Sequence, residues 1–342
     1  MVVSILCSKR CLALWKRKRT YIIIVIIIAL GYFIRPGFYM VSPGTVEELG
    51  CLITVEGEKR EEDGIMAMVT VSQQQANFWS FWYGLVHPMV DLRSISQVIP
   101  DNMTKEEYYE LSRDWMEESQ NLAAVIALRK ASYEVDIVSD GVEVVDFLPG
   151  SPAENILEAG DLIKEVDGQR VYLAEEVVSN IQEQEIGEEV NIIVEREGKR
   201  LPLKVKTTGH SELAGKAALE VYVATYNWRP ILPVAIEFET GPVIGPSAGM
   251  MFVLEILDRL LPENLAAGRS IAGTGTISLD EKVGGIGGVK QKVVAAEKMG
   301  IEYFLVPADN YREALEGAHD INVIPVETLD DALYFLRGAG EQ

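Results

Sequence analysis

The sequence predicts an α+β multidomain chain with an N-terminal transmembrane helix, a β-rich middle carrying few helices, and a C-terminal α/β region. Three observations predict it. A basic cluster runs into an uncharged apolar stretch near the N-terminus. Short strand-like runs separated by Gly- and Pro-containing turns fill residues 132–208. From about residue 220, strand-like and helix-like runs alternate to the end. At 342 residues, 48% of them hydrophobic, the chain has room for two or three cored domains.

Residues 1–19 contain Lys9, Arg10, Lys16, Arg17, Lys18 and Arg19 and no acid, and Tyr21 to Ile34 then carries no charge. As a helix that uncharged run covers about 21 Å, short of a hydrocarbon core of ~30 Å. Continuing to Val41 gives about 31 Å, with Arg35 reaching the far interface along its aliphatic stem. The span is therefore expected over 20–41 as an uncleaved signal anchor. A cleaved leader would need its small-residue site at Ala29-Leu30-Gly31, inside the apolar run. The basic tail 1–19 places the N-terminus in the cytoplasm and everything after Val41 outside the cell membrane. Beyond Arg35, 24 basic residues stand against 52 acidic ones, a net −28. Such a surface repels anionic lipid and nucleic acid, which argues against a nucleic-acid-binding role. Cys7 and Cys11 fall on the cytoplasmic side and Cys51 is alone outside, so no disulfide is expected there.

Residues 42–131 read as a separate N-terminal region. Leu52 to Val55 and Ile65 to Val71 are strands around a charged turn, Glu56 to Asp63. Phe78, Trp79, Phe81, Trp82 and Tyr83 are either core or a belt at the membrane interface. Asp101 and Asn102 announce a helix over 104–130, with Thr104 as N-cap and Glu107 completing a capping box. His87, His210 and His319 are isolated, so neither a Ser–His pair nor a metal site is expected, and no cofactor.

In 132–208, Val142 to Val145 precedes Pro149-Gly150-Ser151-Pro152-Ala153. Then come Ala159-Gly160-Asp161-Leu162-Ile163, Val166-Asp167-Gly168, a helix near Ala174–Gln184 and a strand at Val190 to Val194. Gly160 and Gly168 are turn residues, and Leu162, Ile163 and Val166 are core. These motifs resemble a bacterial protease-associated PDZ domain. That resemblance implies capture of an extended peptide by strand addition, on a groove strand Gly141 to Val145 with Val142 and Val144, facing Val177 and Ile181. The alternative is a domain that only packs on its neighbour. In the linker 209–219, Gly209 and Gly215-Lys216 fail as a phosphate loop, because the spacing is wrong and Ala217 replaces Ser/Thr. No ATP site is expected.

The region 220–342 opens with strands at Glu220 to Ala224 and Val234 to Phe238, and reaches Gly245-Pro246-Ser247-Ala248-Gly249. An apolar helix follows over Met250 to Leu261, then a strand-like run at Ile271 to Leu279. Gly284-Gly285-Ile286-Gly287-Gly288-Val289-Lys290-Gln291-Lys292 comes next. Strands at Ile301–Val306 and Ile321–Val326 alternate with helices at Asn310–Glu316 and Leu329–Leu336. A serine hydroxyl becomes a nucleophile when a neighbouring base takes its proton, and a buried lysine can be neutral enough to do so. Val293, Val294, Ala295 and Ala296 supply an apolar setting for Lys292. The helix after Ser247 offers backbone N–H groups to a developing oxyanion. Taken singly, Ser247 also reads as an N-cap and Lys292 as a surface lysine.

Together the motifs resemble the proteolytic domain of Lon-type serine proteases over about residues 230–335. They include Thr274-Gly275-Thr276-Ile277, Tyr303-Phe304-Leu305-Val306-Pro307 and Asn310. The resemblance implies Ser247 as nucleophile, Lys292 as base and Thr274 orienting the lysine. Gly245, Pro246, Ala248 and Gly249 supply the oxyanion turn, and Lys290 is structural. Thr276 and Ile244 stand where that family commonly has acidic residues, so the resemblance assigns no third, acidic partner here. The expected protein is a membrane-anchored, PDZ-containing, ATP-independent Lon-like serine endopeptidase acting on peptides or small unstructured proteins, and the resemblance allows a homo-oligomer. The alternative is a catalytically silent PDZ scaffold.

Overall fold

The computed structural model describes residues 2–57, 63–99, 103–148, 150–209 and 216–339. The chain divides into two compact units. One combines Met1–Ser132 with Val234–Gln342; the other, Tyr133–Pro233, is inserted between those halves.

The first unit opens with helix α1 (Val2–Phe33). Its end departs from the expected span. Pro36 disfavours helical backbone at Arg35, Gly37 turns the chain at φ +81°, and strand β1 (Phe38–Glu48) begins at once, with Tyr39 and Val41 buried in the core. The expected span 20–41 thus fails at its C-terminal end. Among the described residues no helix is long and apolar enough to cross a membrane. Then follow β2 (Ile53–Val55), β3 (Ile65–Gln75), α2 (Phe78–Val86), β4 (Asp91–Ser94), α3 (Ile95–Val98) and α4 (Lys105–Lys130). Thr104 caps α4 as its sequence requires, accepting from Glu107 N at 3.2 Å while Glu107 Oε2 accepts from Thr104 N at 2.7 Å. Asp101, Asn102 and most of the charged turn (58–62) lie outside the described residues.

The inserted unit contains β5 (Asp136–Val138), β6 (Gly141–Phe147), β7 (Leu162–Val166), β8 (Gln169–Arg170), α5 (Ala174–Gln182), β9 (Glu189–Arg196) and β10 (Lys199–Lys206). It ends with β11 (Thr208–Gly209), β12 (Ala217–Ala218), β13 (Val221–Tyr226) and β14 (Arg229–Ile231). Its main sheet has the order β10-β9-β7-β6-β13. Here the sequence reading needs a second correction. The strand assigned to the start of the C-terminal region, β13, pairs antiparallel with β6 inside this unit. Val142, Val144, Ile163, Val166, Ile192 and Val194 alternate into a core closed by Val177 and Ile181 of α5. Asp161, whose side chain is fully buried, accepts from Arg196 Nε at 2.6 Å and Nη2 at 2.7 Å. The Gly-Asp-Leu-Ile motif thus carries a paired internal charge, the form in which a buried carboxylate is tolerated.

The chain returns to the first unit through β15 (Ile236–Phe238), α6 (Gly249–Leu260), β16 (Ser270–Gly273), β17 (Thr276–Ile277), β18 (Val283–Gly284) and α7 (Val289–Lys298). It closes with β19 (Tyr303–Pro307), α8 (Tyr311–Leu315), β20 (Asn322–Val326) and α9 (Leu329–Tyr334). One sheet, β20-β19-β16-β3-β1-β4, draws strands from both halves. β3, β16, β19 and β20 run parallel, while β1 pairs antiparallel with β3 and β4. The period of two along each strand separates two cores. Met66, Met68, Ile271 and Leu305 face α6 and α4, whereas Ala67, Val69, Ala272 and Phe304 face α7. Residues 42–131 are therefore no separate domain, because β1, β3 and α4 complete the sheet and cores of the C-terminal region. α6 is apolar nearly all round, Met250 to Leu254 being wholly buried, as expected of a helix covered on every side.

Candidate active site and peptide groove

Ser247 stands in the turn that enters α6. Gly245 takes φ +93°, open to glycine without strain, and its N–H donates to Ser112 O of α4 at 2.9 Å. Ser119 Oγ, also of α4, donates to Pro246 O at 3.1 Å. Gly249 lies so close to α4 and β17 that a Cβ there would sit 2.8 Å from Ser119 Oγ and 3.0 Å from Ile277 Cγ2. The turn is thus held from outside by a helix more than a hundred residues earlier in the chain. The lysine is held by a second device. Asn310 clamps the Gly-rich loop before α7, accepting from Ile286 N at 2.7 Å and donating to Ile286 O at 3.0 Å. Gly288, at φ +74°, then starts α7.

These two supports bring Lys292 Nζ to 2.7 Å from Ser247 Oγ and 2.8 Å from Thr274 Oγ1. Thr274 Oγ1 in turn donates to Ser247 O at 2.9 Å, so it ties both members of the pair. Lys292 is 3% exposed, and burial among apolar groups pushes its pKa down to about 7. At that value a large fraction of the amine is neutral near pH 7 and able to take a hydroxyl proton. Ser247 remains half-buried, open to a cleft of about 630 Å³ lined by Leu52, Met68, Val69, Thr70, Val71, Met116, Gly241 to Gly245, Gly287 and Lys292. Thr274→Val is expected to lower kcat about 10²-fold by loosening the amine, with Thr274→Ser retaining most of it; steady-state kinetics reads both.

The four residues expected to supply the oxyanion turn separate into different parts. Pro246 has no N–H. Gly245 N–H is taken by Ser112 O, and Gly249 N–H points to Pro246 O at 3.3 Å. Among the described residues the N–H groups of Ala248 and Ser247 itself are left unused by the chain, so they are the donors the turn presents. Lys290 points elsewhere, its Nζ 3.5 Å from Glu316 Oε2. No group of three or more metal-ligating side chains occurs among the described residues. His87 caps α2 through its backbone, His319 lies beside Glu297, and His210 lies outside the described residues.

In the inserted unit the groove differs from the expected one. Val142 and Val144 are wholly buried, and β6 is bonded on both sides, to β7 and to β13. A peptide has no edge to add to at Gly141 to Val145, and a Cβ at Gly141 would meet Ile163 O. The edge is β13 instead. Between it and α5 runs an apolar groove of about 230 Å³, lined by Val177, Val178, Ile181, Gln182 and the stretch Ala217 to Val223. Val177 and Ile181 of α5 line this groove. The strand changed because an interior strand and an edge strand of Val-rich sequence look alike until the pairing order is known.

Comparison with known proteins matches two separate stretches of the chain. Residues 234–336 match the model of the Lon protease (S16) C-terminal proteolytic domain, and residues 120–207 match the PDZ domain model. The Lon protease of Campylobacter concisus is 39% identical over 97 residues, which is 27% of this chain and 12% of that protein. Those of Azospirillum brasilense (36% over 96 residues) and Methanosphaera stadtmanae (37% over 101 residues) match 27% and 28% of this chain. The matched part spans 12% of the length of each of these relatives. Among solved structures, the PDZ domain of the SdrC-like protein of Listeria monocytogenes is similar at 27% identity, covering 26% of this chain and 92% of that one, with a TM-score of 0.24. By the two family matches, residues 234–336 carry a serine peptidase domain of the Lon type and residues 120–207 a PDZ domain.

Proposed function

We propose that this chain is an ATP-independent serine endopeptidase in which Ser247 and Lys292 form the catalytic dyad. The observation that carries the reading is the 2.7 Å approach of Ser247 Oγ to a lysine amine buried enough to be pushed down to about 7. Neutral Lys292 accepts the Ser247 proton as Oγ bonds to the substrate carbonyl carbon. The carbonyl oxygen becomes an oxyanion facing the N–H groups of Ala248 and Ser247. When the C–N bond breaks, the lysine returns its proton to the departing amine, leaving an acyl-serine. Lys292 then deprotonates a water that attacks the acyl carbon and frees Ser247. A buried amine of this kind favours the catalytic reading over a silent scaffold, which has no need of a desolvated lysine.

ATP independence enters the proposal because the sequence holds no phosphate-loop pattern. Small or unstructured chains, which need no unfolding motor, are the fitting substrates. The basic-then-apolar segment around Lys16 to Ile34 supports attachment to the cell membrane with the N-terminus cytoplasmic and the peptidase outside. The groove between β13 and α5 supports docking of a peptide as an added strand, with its apolar side chains on Val177, Val178 and Ile181. Val178 is 43% exposed, so Val178→Glu leaves the core intact. It is expected to weaken binding of a labelled peptide with an apolar C-terminal residue about tenfold or more, as read by fluorescence anisotropy. Hydrolysis of an unstructured protein such as casein without nucleotide tests the activity. Cleavage that requires ATP, or that survives Ser247→Ala, would sink the reading.

A further inference from the structure

The helix α2 belongs to no part of the site. From Ala76 to Val90 the chain has no charged residue, in a sequence where 24% are charged. Trp79, Trp82, Tyr83 and Val86 follow the i, i+3, i+4, i+7 spacing of one helical face. All four are exposed, Val86 at 79%, while Gly84 on the opposite side packs on Leu92. This face is fastened to the end of α1. Trp79 Nε1 donates to Ile28 O at 3.0 Å, Phe78 N donates to Ile34 O at 2.9 Å, and Arg35 Nη1 donates to Gln75 O at 3.1 Å. The indole of Trp79 occupies the space that a side chain at Gly31 would need.

What covers α1 decides what covers α2. From Tyr21 to Leu30 every residue is exposed, the large apolar ones between 46% and 66%. Successive residues point about 100° apart, so this exposure runs around the whole circumference. A protein partner covers one side of such a helix; a continuous apolar medium covers all sides. Exposed Lys18 and Arg19 precede the stretch, where an ammonium and a guanidinium group meet lipid phosphates. The uncharged turns to Phe33 reach about 21 Å, roughly 9 Å less than a hydrocarbon core. A short span is accommodated by local thinning and by flanking groups at the boundary.

Resting on the membrane attachment proposed above, we infer that α2 is an in-plane docking helix. Its Trp79, Trp82, Tyr83 and Val86 face lies in the headgroup–acyl boundary of the bilayer that α1 enters. Trp and Tyr suit that depth, with apolar rings inward and polar tips in the wet layer. The peptidase unit is then seated on the membrane through α1 and α2 together, with β1 and β4 directly above them.

The test uses the full chain in phosphatidylcholine–phosphatidylglycerol vesicles containing lipids brominated at shallow or deep acyl positions. The Trp82 signal is taken as the difference from Trp82→Phe. Trp82 emission is expected to be blue-shifted and to lose more than half its intensity to the shallow quencher, with less lost to the deep one. Emission unchanged by either quencher, in chains that float with the vesicles, overturns the inference while leaving the anchor standing. Chains that do not float at all overturn the anchor reading and this one with it. Shielding of Trp82 that disappears on lowering the chain-to-lipid ratio assigns the face to a second copy and likewise overturns it.

Discussion

Ser247→Ala is expected to reduce kcat/KM on an unstructured protein by at least about 10⁴-fold, the scale on which single members of a serine-hydrolase constellation fail. The fold should be untouched. Ser247 is half-buried, and the turn is held through Gly245 N, Pro246 O and Ser247 O rather than through the serine side chain. The Lys292 amine keeps Thr274 as a partner at 2.8 Å. A thermal midpoint within a degree or two of the parent, measured alongside the lost activity, separates a missing nucleophile from a damaged site.

Lys292→Met is expected to abolish activity to a similar degree and to stabilise the folded unit. A lysine held at about 7 when its ordinary value is 10.5 destabilises the folded state by up to about 5 kcal/mol at low pH. Lost hydrogen bonds to Ser247 and Thr274 offset part of this, leaving a net gain of about 2–4 kcal/mol for an apolar side chain of matching length. The pH dependence has a definite sign. Below about 7 both folded and unfolded chains hold the proton and the burial cost is complete. Between about 7 and 10.5 the unfolded chain keeps a proton that the folded chain has lost, so the parent gains stability as pH rises. The advantage of Lys292→Met in denaturant melts should therefore be largest below pH 7 and fade toward pH 10.

Much of this site was legible in the sequence, and the reason is local. Gly245 to Gly249 and Gly287 to Lys292 each combine a backbone requirement with one reactive group, and short motifs record such needs well. Thr104 and Glu107 likewise predict their own capping box. What was not legible depends on distant pairing. Nothing within residues 38–48 tells that they form the second strand of the peptidase sheet, and their apolar start reads equally well as the end of a membrane span. Pro36 and Gly37 were the available signal against that extension. The strand at Val221 to Tyr226 fits either neighbour by composition, and only its register against Gly141 to Phe147 assigns it. The roles of Ser112 and Ser119 were invisible for the same reason: they act on the Ser247 turn from more than a hundred residues away.

The measurement that bears most directly on the dyad is the pH profile of kcat/KM for the full chain, without nucleotide, on an unstructured protein between pH 5.5 and 9.5. The account predicts a tenfold rise per pH unit at the acid end, bending through a single ionisation near 7 to a plateau, and no activity at any pH for Lys292→Met. A profile still rising toward 10, or a Lys292→Met variant that retains the parent's rate, would show that another group takes the Ser247 proton.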